Sequence, residues 1–250
     1  MSVLAVAHLS KSFGGVQAVA DVSFTVAAGE MLAMIGPNGA GKSTCFNLIN
    51  GQLQPDGGEI FLEHRKIRGL APRELCHLGV GRTFQVTATF GSMTVHENVQ
   101  LALLAHARRL GSALASFSNS SPEEANELLK QVGMVPQSGR PCAELAYGDL
   151  KRVELAIALA SRPRLLLMDE PTAGMSPAER NELMQLAAGL ARSSKIAVLF
   201  TEHDMDVVYR HADRVIVLAE GNLIAQGSPA EVRANAQVRR VYLGEESAHA

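Results

Sequence analysis

Four short apolar runs punctuate the chain: MLAMI (31–35), LLLM (165–168), IAVLF (196–200) and VIVLA (215–219). Each has the length of a strand, and polar or glycine residues follow each one. Near-continuous apolar runs suit strands buried on both faces of a mostly parallel sheet. Helical spacing lies between them. In KRVELAIALA, Val153, Ala156, Ile157 and Ala160 fall at i, i+3, i+4 and i+7. Pro177 opens a further helix, PAERNELMQLAAGLA, with Ser176 as its N-cap. The stretches SFTVAAGE and GEIFLEHRKI alternate loosely, as strands with one exposed face do, and PDGG (55–58) marks a turn. They predict an antiparallel β patch beside the parallel core. Residues 91–160 carry no strand pattern. Helical patterns occupy 95–109 and 123–132, and the Ser-rich GSALASFSNSSP between them predicts a mobile loop. The expected organisation is a single domain over 1–250. Its α/β core comes from 1–90 and 161–250, and a helical subdomain, 91–160, is inserted into it.

Composition narrows the function classes. The chain has 250 residues, enough for one full core, and its net charge of −2 gives no global basic field for nucleic acid. The three cysteines, Cys45, Cys76 and Cys142, are odd in number and widely spaced. That pattern predicts reduced thiols in an intracellular protein rather than disulfides or a zinc site. The start, MSVLAVAHLSK, lacks the basic leader and apolar length of a signal peptide. No stretch approaches the roughly 20 apolar residues of a membrane span. If the protein works at a membrane, another chain crosses it.

The candidate chemistry begins after the first apolar run, with Gly36-Pro37-Asn38-Gly39-Ala40-Gly41-Lys42-Ser43-Thr44 and a helix to about Asn50. This is G-x-x-x-x-G-K-[ST] in a strand–loop–helix setting. The glycines let successive N–H groups turn inward around phosphates, and the helix N-terminus adds favourable partial charge. Lys42 would reach the β- and γ-phosphates, and the Ser43 hydroxyl would ligate Mg²⁺. In LLLMDEP, Asp169 at a strand end would hold Mg²⁺ through water, and Glu170 would face an attacking water. FTEHD (200–204) repeats the pattern of buried strand followed by polar residues. His203 there is either a satisfied loop histidine or a γ-phosphate contact at the carboxyl edge of the sheet. Gln85, in GRTFQ, reads by itself as a surface amide. A second glycine, Gly148 in ELAYGDLKR, sits just before another run with helical apolar spacing.

Taken together, these motifs resemble the ATP-binding cassette family, specifically the nucleotide-binding subunit of ABC transporters, over nearly the whole chain. The resemblance implies a P-loop NTPase (RecA-like) α/β core with a mostly parallel sheet, an antiparallel β subdomain and an inserted α-helical subdomain. GPNGAGKST is similar to the Walker A segment and LLLMDE to Walker B. Gln85 falls on the Q-loop, His203 on the switch histidine, and Phe13 on the aromatic that stacks on adenine. ELAYGDLKR sits at the signature sequence. The resemblance implies ATP and Mg²⁺ as cofactors. Glu170, His203 and Lys42 would be catalytic, and Ser43, Gln85 and Asp169 would organise the metal. Two cassettes would dimerise head to tail, with Tyr147 and Gly148 of one chain capping the nucleotide of the other.

GVGRTFQ, MTVHENVQLALLAH, the Tyr of LAYGD and the tail GNLIAQGSPAEVRANAQVRRVYLGEE look like the branched-chain amino acid importers, whose relatives handle urea and short amides. The tail also resembles the lipopolysaccharide-exporter cassette. The implied partners are a second cassette, two integral permease subunits docking near 86–98, and a separate solute-binding protein. The implied place is cytoplasmic, on the inner face of the plasma membrane. Ala146, Tyr147 and Asp149 depart from the family's usual serine, glycine and glutamine, and Ser176 from its aspartate. His64 stands where a hairpin glycine is common and is expected to take a positive φ. The competing readings are a non-transport ABC ATPase and a P-loop kinase. Such ATPases usually carry two cassettes or a coiled-coil insert, and a kinase would leave Glu170 and His203 unexplained.

Overall fold

The structure, a computed structural model, describes residues 2–83, 89–107 and 122–246, without the side chains of 242–246. Strands β1 (Ser2–Phe13) and β2 (Val16–Ala27) form a long hairpin. With β4 (Gly57–Leu62) and β5 (Arg65–Lys66) they make an antiparallel sheet in the order β2-β1-β4-β5. The loose alternation has its cause here: Val6, Leu9, Val22, Phe24 and Val26 are buried, while Ala7, His8, Ser23, Thr25 and Ala27 are not. The β4–β5 turn departs from expectation. Its left-handed residue is Glu63, at φ 55°, and not His64.

The second sheet has six strands in the order β10-β9-β3-β8-β7-β6. Its four central strands are the four apolar runs: β3 (Met31–Ile35), β7 (Leu165–Asp169), β8 (Ala197–Thr201) and β9 (Arg214–Ala219). The pairs β3–β8, β3–β9, β7–β8 and β6–β7 are parallel. Both faces are buried. Met31, Ala33, Ile35, Met168 and Phe200 belong to one hydrophobic cluster, and Leu32, Met34, Leu165, Leu167 and Leu199 to the other. That two-sided burial explains why the runs are continuous rather than alternating. The edge strands β6 (Val80–Thr83) and β10 (Asn222–Gly227; antiparallel to β9) carry no such run.

On one side of this sheet lie α1 (Lys42–Ile49) and the antiparallel sheet, sharing one cluster. The short α2 (Pro72–His77) sends Leu75 into it. On the other side lie α3 (Val95–His106), α4 (Pro122–Gln131), α5 (Tyr147–Leu159) and α6 (Pro177–Ser194). Val99, Leu129, Val153 and Met184 from these helices pack in the same cluster as Ile35 and Phe200. Three further helices follow among the described residues: α7 (Met205–His211), α8 (Pro229–Ala234) and α9 (Ala236–Glu246). Capping is local and legible. Thr94 with Glu97 and Ser176 with Glu179 form reciprocal capping boxes at the starts of α3 and α6. Most of the Ser-rich stretch and Gln85 lie outside the described residues.

Candidate functional site

The carboxyl ends of β3, β7 and β8 meet at one edge of the parallel sheet. Asp169 stands in register with Thr201, and Thr201 with Met34. The glycine loop leaves β3 at this edge. A Cβ on Gly36 would lie 2.1 Å from the Leu218 carbonyl oxygen, and one on Gly41 2.2 Å from that of Ala18. Both obstacles are backbone, so neither position admits a side chain. Gly39 has a different reason: φ is 78° and the space around it is open. The loop is fixed from outside by Gly221, whose N–H donates to the Ala40 carbonyl and whose carbonyl accepts from Ala20 N–H.

Lys42 is buried, and its ammonium donates to the carbonyls of Gly36 (2.6 Å) and Pro37 (2.9 Å). Asn38 and Gly39 are exposed at the crest of the loop, Ser43 is exposed and Thr44 half-buried. Gly41, the N-cap of α1, supplies no side-chain acceptor, so the amides of the first turn keep their donors for a ligand. A glycine cradle, an inward ammonium and a helix N-terminus together fit a polyphosphate. Phe13 ends β1 opposite Val16, two residues before the Ala18 carbonyl that abuts Gly41. The residue is 46% exposed, with the Lys11 ammonium 5.4 Å from its ring centroid. That is an apolar face offered next to the loop.

The acidic pair is organised by neighbours that the sequence did not announce. Thr201 Oγ1 donates to Asp169 Oδ1 at 2.8 Å and accepts from Glu170 N–H at 3.0 Å. Arg82, from β6, places Nη2 3.5 Å from Asp169 Oδ2 and donates through Nη1 to Gln52 Oε1. Burial holds the Arg82 pKa below its usual value. Glu170 is left-handed, with φ 47°, which turns its carboxylate back to the neighbouring strand end. There Glu170 Oε1 is 2.8 Å from His203 Nε2. Glu170 and His203 therefore share one hydrogen bond, while Asp169 keeps an oxygen near Arg82 and beside the glycine loop's edge of the sheet. A carboxylate and an exposed hydroxyl such as Ser43 are hard oxygen donors of the kind Mg²⁺ takes. Gln85, two residues beyond the end of β6, lies outside the described residues.

Gly148 is the second residue of α5 and is buried, not a free junction ahead of the helix. A Cβ there would lie 2.9 Å from Glu179 Oε1. The other oxygen, Glu179 Oε2, accepts from Ser176 N–H (2.9 Å) and Oγ (2.6 Å), and these bonds hold the Glu179 carboxyl below its usual pKa. Ser176 thus caps α6 where the family pattern has aspartate. The N-cap of α5 is Ala146, with no side-chain bond, and Asp149 is the third helical residue. Tyr147 is exposed beside Gly174, and Lys151 sits 5.4 Å from its ring centroid.

A P-loop nucleoside triphosphatase is the class that this loop, these strand ends and this sheet order define. The ABC transporter family matches residues 19–173, and the branched-chain amino acid ATP-binding cassette transporter family matches residues 222–248. The chain belongs to the ABC transporter family, as an ATP-hydrolysing cassette of the branched-chain type. It is 39% identical over 253 aligned positions to the high-affinity branched-chain amino acid transport ATP-binding protein LivG of Salmonella typhimurium, covering 97% of this chain and 98% of that one. It is 38% identical to the BraF protein of Pseudomonas aeruginosa over the same shares, and 33% identical to the lipopolysaccharide export protein LptB of Haemophilus influenzae. The ADP conformation of MJ1267, an ATP-binding cassette of an ABC transporter, superposes with a TM-score of 0.85 at 31% identity, covering 98% of this chain and 99% of that one. A cassette solved as a dimer, MJ0796, gives 0.74 at 26% identity over 90% of this chain. Among the described residues no helix is long and apolar enough to cross a membrane.

Proposed function

We propose that the chain hydrolyses ATP to drive uptake of a small polar solute, a branched-chain amino acid or a urea-like amide, through two permease subunits. The ATPase site is the loop Gly36 to Thr44 with the strand ends of β7 and β8, and the meeting of Glu170 with His203 at 2.8 Å is the observation that carries this reading. Phe13 stacks on adenine, Lys42 exchanges its carbonyl partners for phosphate oxygens, and Ser43, Asp169 and Gln85 would hold Mg²⁺. When bound, the cation supplies positive charge to the β- and γ-phosphates. Glu170 accepts a proton from the attacking water as general base, and His203 orients that carboxylate and contacts the γ-phosphate. A second cassette brings its own Tyr147 and Gly148, with the α5 N-terminus, to this nucleotide. The solute is favoured by the relatives' printed activities, since LivG and BraF are more similar to this chain than LptB is.

The division into a core (1–90 and 161–250) and a helical arm (91–160) belongs to this proposal. Its support is that an isolated bridge, Thr94 to Pro141, is the β pairing found among the described residues of 91–160. Between arm and core, α2, β6, α3 and α5 line an open groove of about 560 Å³. Leu75, Val80, Ala102, Ala105 and Ile157 make it apolar, and Arg82 and Gln52 lead from it to Asp169. A permease segment seated there, adjoining 86–98, would reach the ATPase site through Arg82. The chain would then sit in the cytoplasm on the inner face of the membrane, with a separate solute-binding protein on the far side.

Membranes from cells carrying a tagged chain provide the test. Co-purification of two hydrophobic integral subunits is expected, with ATP hydrolysis stimulated by a binding protein loaded with a branched-chain amino acid or amide. Recovery of ribosomes or DNA, or of a lipopolysaccharide-export complex, overturns the reading.

A further inference from the structure

We propose that Glu202 is a positioning residue that locks His203 to the loop following Glu170, so that a displacement of that loop is delivered to His203. Glu202 Oε1 accepts both the N–H (3.0 Å) and the Oγ–H (2.7 Å) of Thr172. The backbone amides of His203 and Asp204 also favour its charged form. Glu202 is 5% exposed and Thr172 1%. Burying a carboxylate is costly, and here burial raises its pKa against the pull of those hydrogen bonds. A site needing packing alone is better served by an apolar side chain. What a carboxylate oxygen holding two bonds from one residue adds is a stiff, directional link.

A second strap runs in parallel. Asp204, on the other side of His203, accepts from Arg180 Nη1 at 2.6 Å and caps α7 through the amides of Asp206 and Val207. Arg180 Nε in turn donates to the Met175 carbonyl at 2.8 Å. Residues 172–175 are therefore held at both ends by the two neighbours of His203, and His203 closes the ring on Glu170. The same segment carries Gly174, beside Tyr147 at the start of α5. A cassette arriving at Tyr147 and Gly148 thus presses on a loop that is bonded to the residues flanking His203. The inference rests on the roles given to Glu170 and His203 under the proposed function.

Full-length Glu202→Ala, Thr172→Val, the double variant, Glu202→Gln and His203→Ala would be compared by ATP turnover, nucleotide affinity and thermal midpoint. Glu202→Ala is expected to lower kcat about tenfold or more with KM for ATP within about twofold, as loss of a geometry required only at the chemical step does. Thr172→Val, which removes one of the two bonds, is expected to lower kcat about threefold to tenfold. The double variant is expected to be no slower than Glu202→Ala, and Glu202→Gln, which keeps an acceptor for Thr172, to recover most of the loss. Wild-type turnover in Glu202→Ala and Thr172→Val, with His203→Ala inactive, overturns the positioning role and leaves the site intact. Losses that multiply in the double variant overturn it as well. Wild-type turnover in His203→Ala overturns the role of His203 itself, and this inference with it. If Glu202→Ala fails to fold, Thr172→Val decides alone, because it preserves shape and the backbone bond.

Discussion

Glu170→Gln is expected to bind ATP with unchanged affinity, to lower turnover by about two to four orders of magnitude, and to accumulate as an ATP-bound dimer. The magnitude is that of removing a positioned general base. The substitution keeps the length and planarity of the side chain, and the backbone N–H of residue 170 can still donate to Thr201 Oγ1. Asp169 and Arg82 are untouched, so nucleotide and metal binding have no reason to change. Only the proton acceptor beside His203 is lost. With hydrolysis blocked, the γ-phosphate remains in contact with both chains and the dimer does not part. Sedimentation with ATP and Mg²⁺, alongside a phosphate-release assay, measures both effects. Near-wild-type phosphate release would remove Glu170 from the role of base.

The second large effect is expected at Gly148. Gly148→Leu, placed in the Glu170→Gln background, should abolish the ATP-trapped dimer while the monomer binds nucleotide normally. The physical reason is double. A side chain at the second position of α5 would stand in front of the helix amides proposed to meet the partner's phosphate. It would also strike Glu179 Oε1, which lies 2.9 Å from the position of a Cβ, and loosen the capping box with Ser176. The two causes separate experimentally. Glu179→Ala in the same background removes the capping box while leaving residue 148 bare. If that variant keeps the dimer and Gly148→Leu loses it, the partner contact is the reason for the glycine. If the Leu variant dimerises as the Glu170→Gln parent does, Gly148 has no part in pairing. Lys42 and the glycine loop, well away from α5 in sequence, give an internal check through nucleotide affinity.

The central strands were legible because each is buried on both faces, so its residues are apolar without interruption and flanked by polar ends. The antiparallel sheet was legible as an alternation. Edge strands were not: Val80–Thr83 contains Gly81 and Arg82 and has no run of its own, so its pairing with β7 is a tertiary fact. The same holds for the site. Gly36 to Thr44, Asp169, Glu170 and His203 announce themselves by local spacing. Arg82, Thr201 and Glu202 act only because the sheet order β8-β7-β6 sets their strand ends side by side. A polar residue closing an apolar run was the available signal, and FTEHD displayed it at Glu202. The expected positive φ at His64 failed because the hairpin placed its one left-handed residue a position earlier, at Glu63. Sequence also placed Gly148 before its helix, since a glycine reads as a breaker until the packing of α5 on Glu179 shows why a helical position needs one.

Glu170 holds its carboxylate toward His203 by adopting φ 47°, a conformation that costs a non-glycine residue roughly 1–2 kcal/mol. Glycine bears no such cost, so Glu170→Gly is expected to raise the thermal midpoint of the chain while leaving it unable to turn over ATP. Any search for hardier versions by heat challenge or expression yield alone would therefore enrich an inert chain at this position. Breeding a more durable version of this ATPase requires that activity be scored in every round.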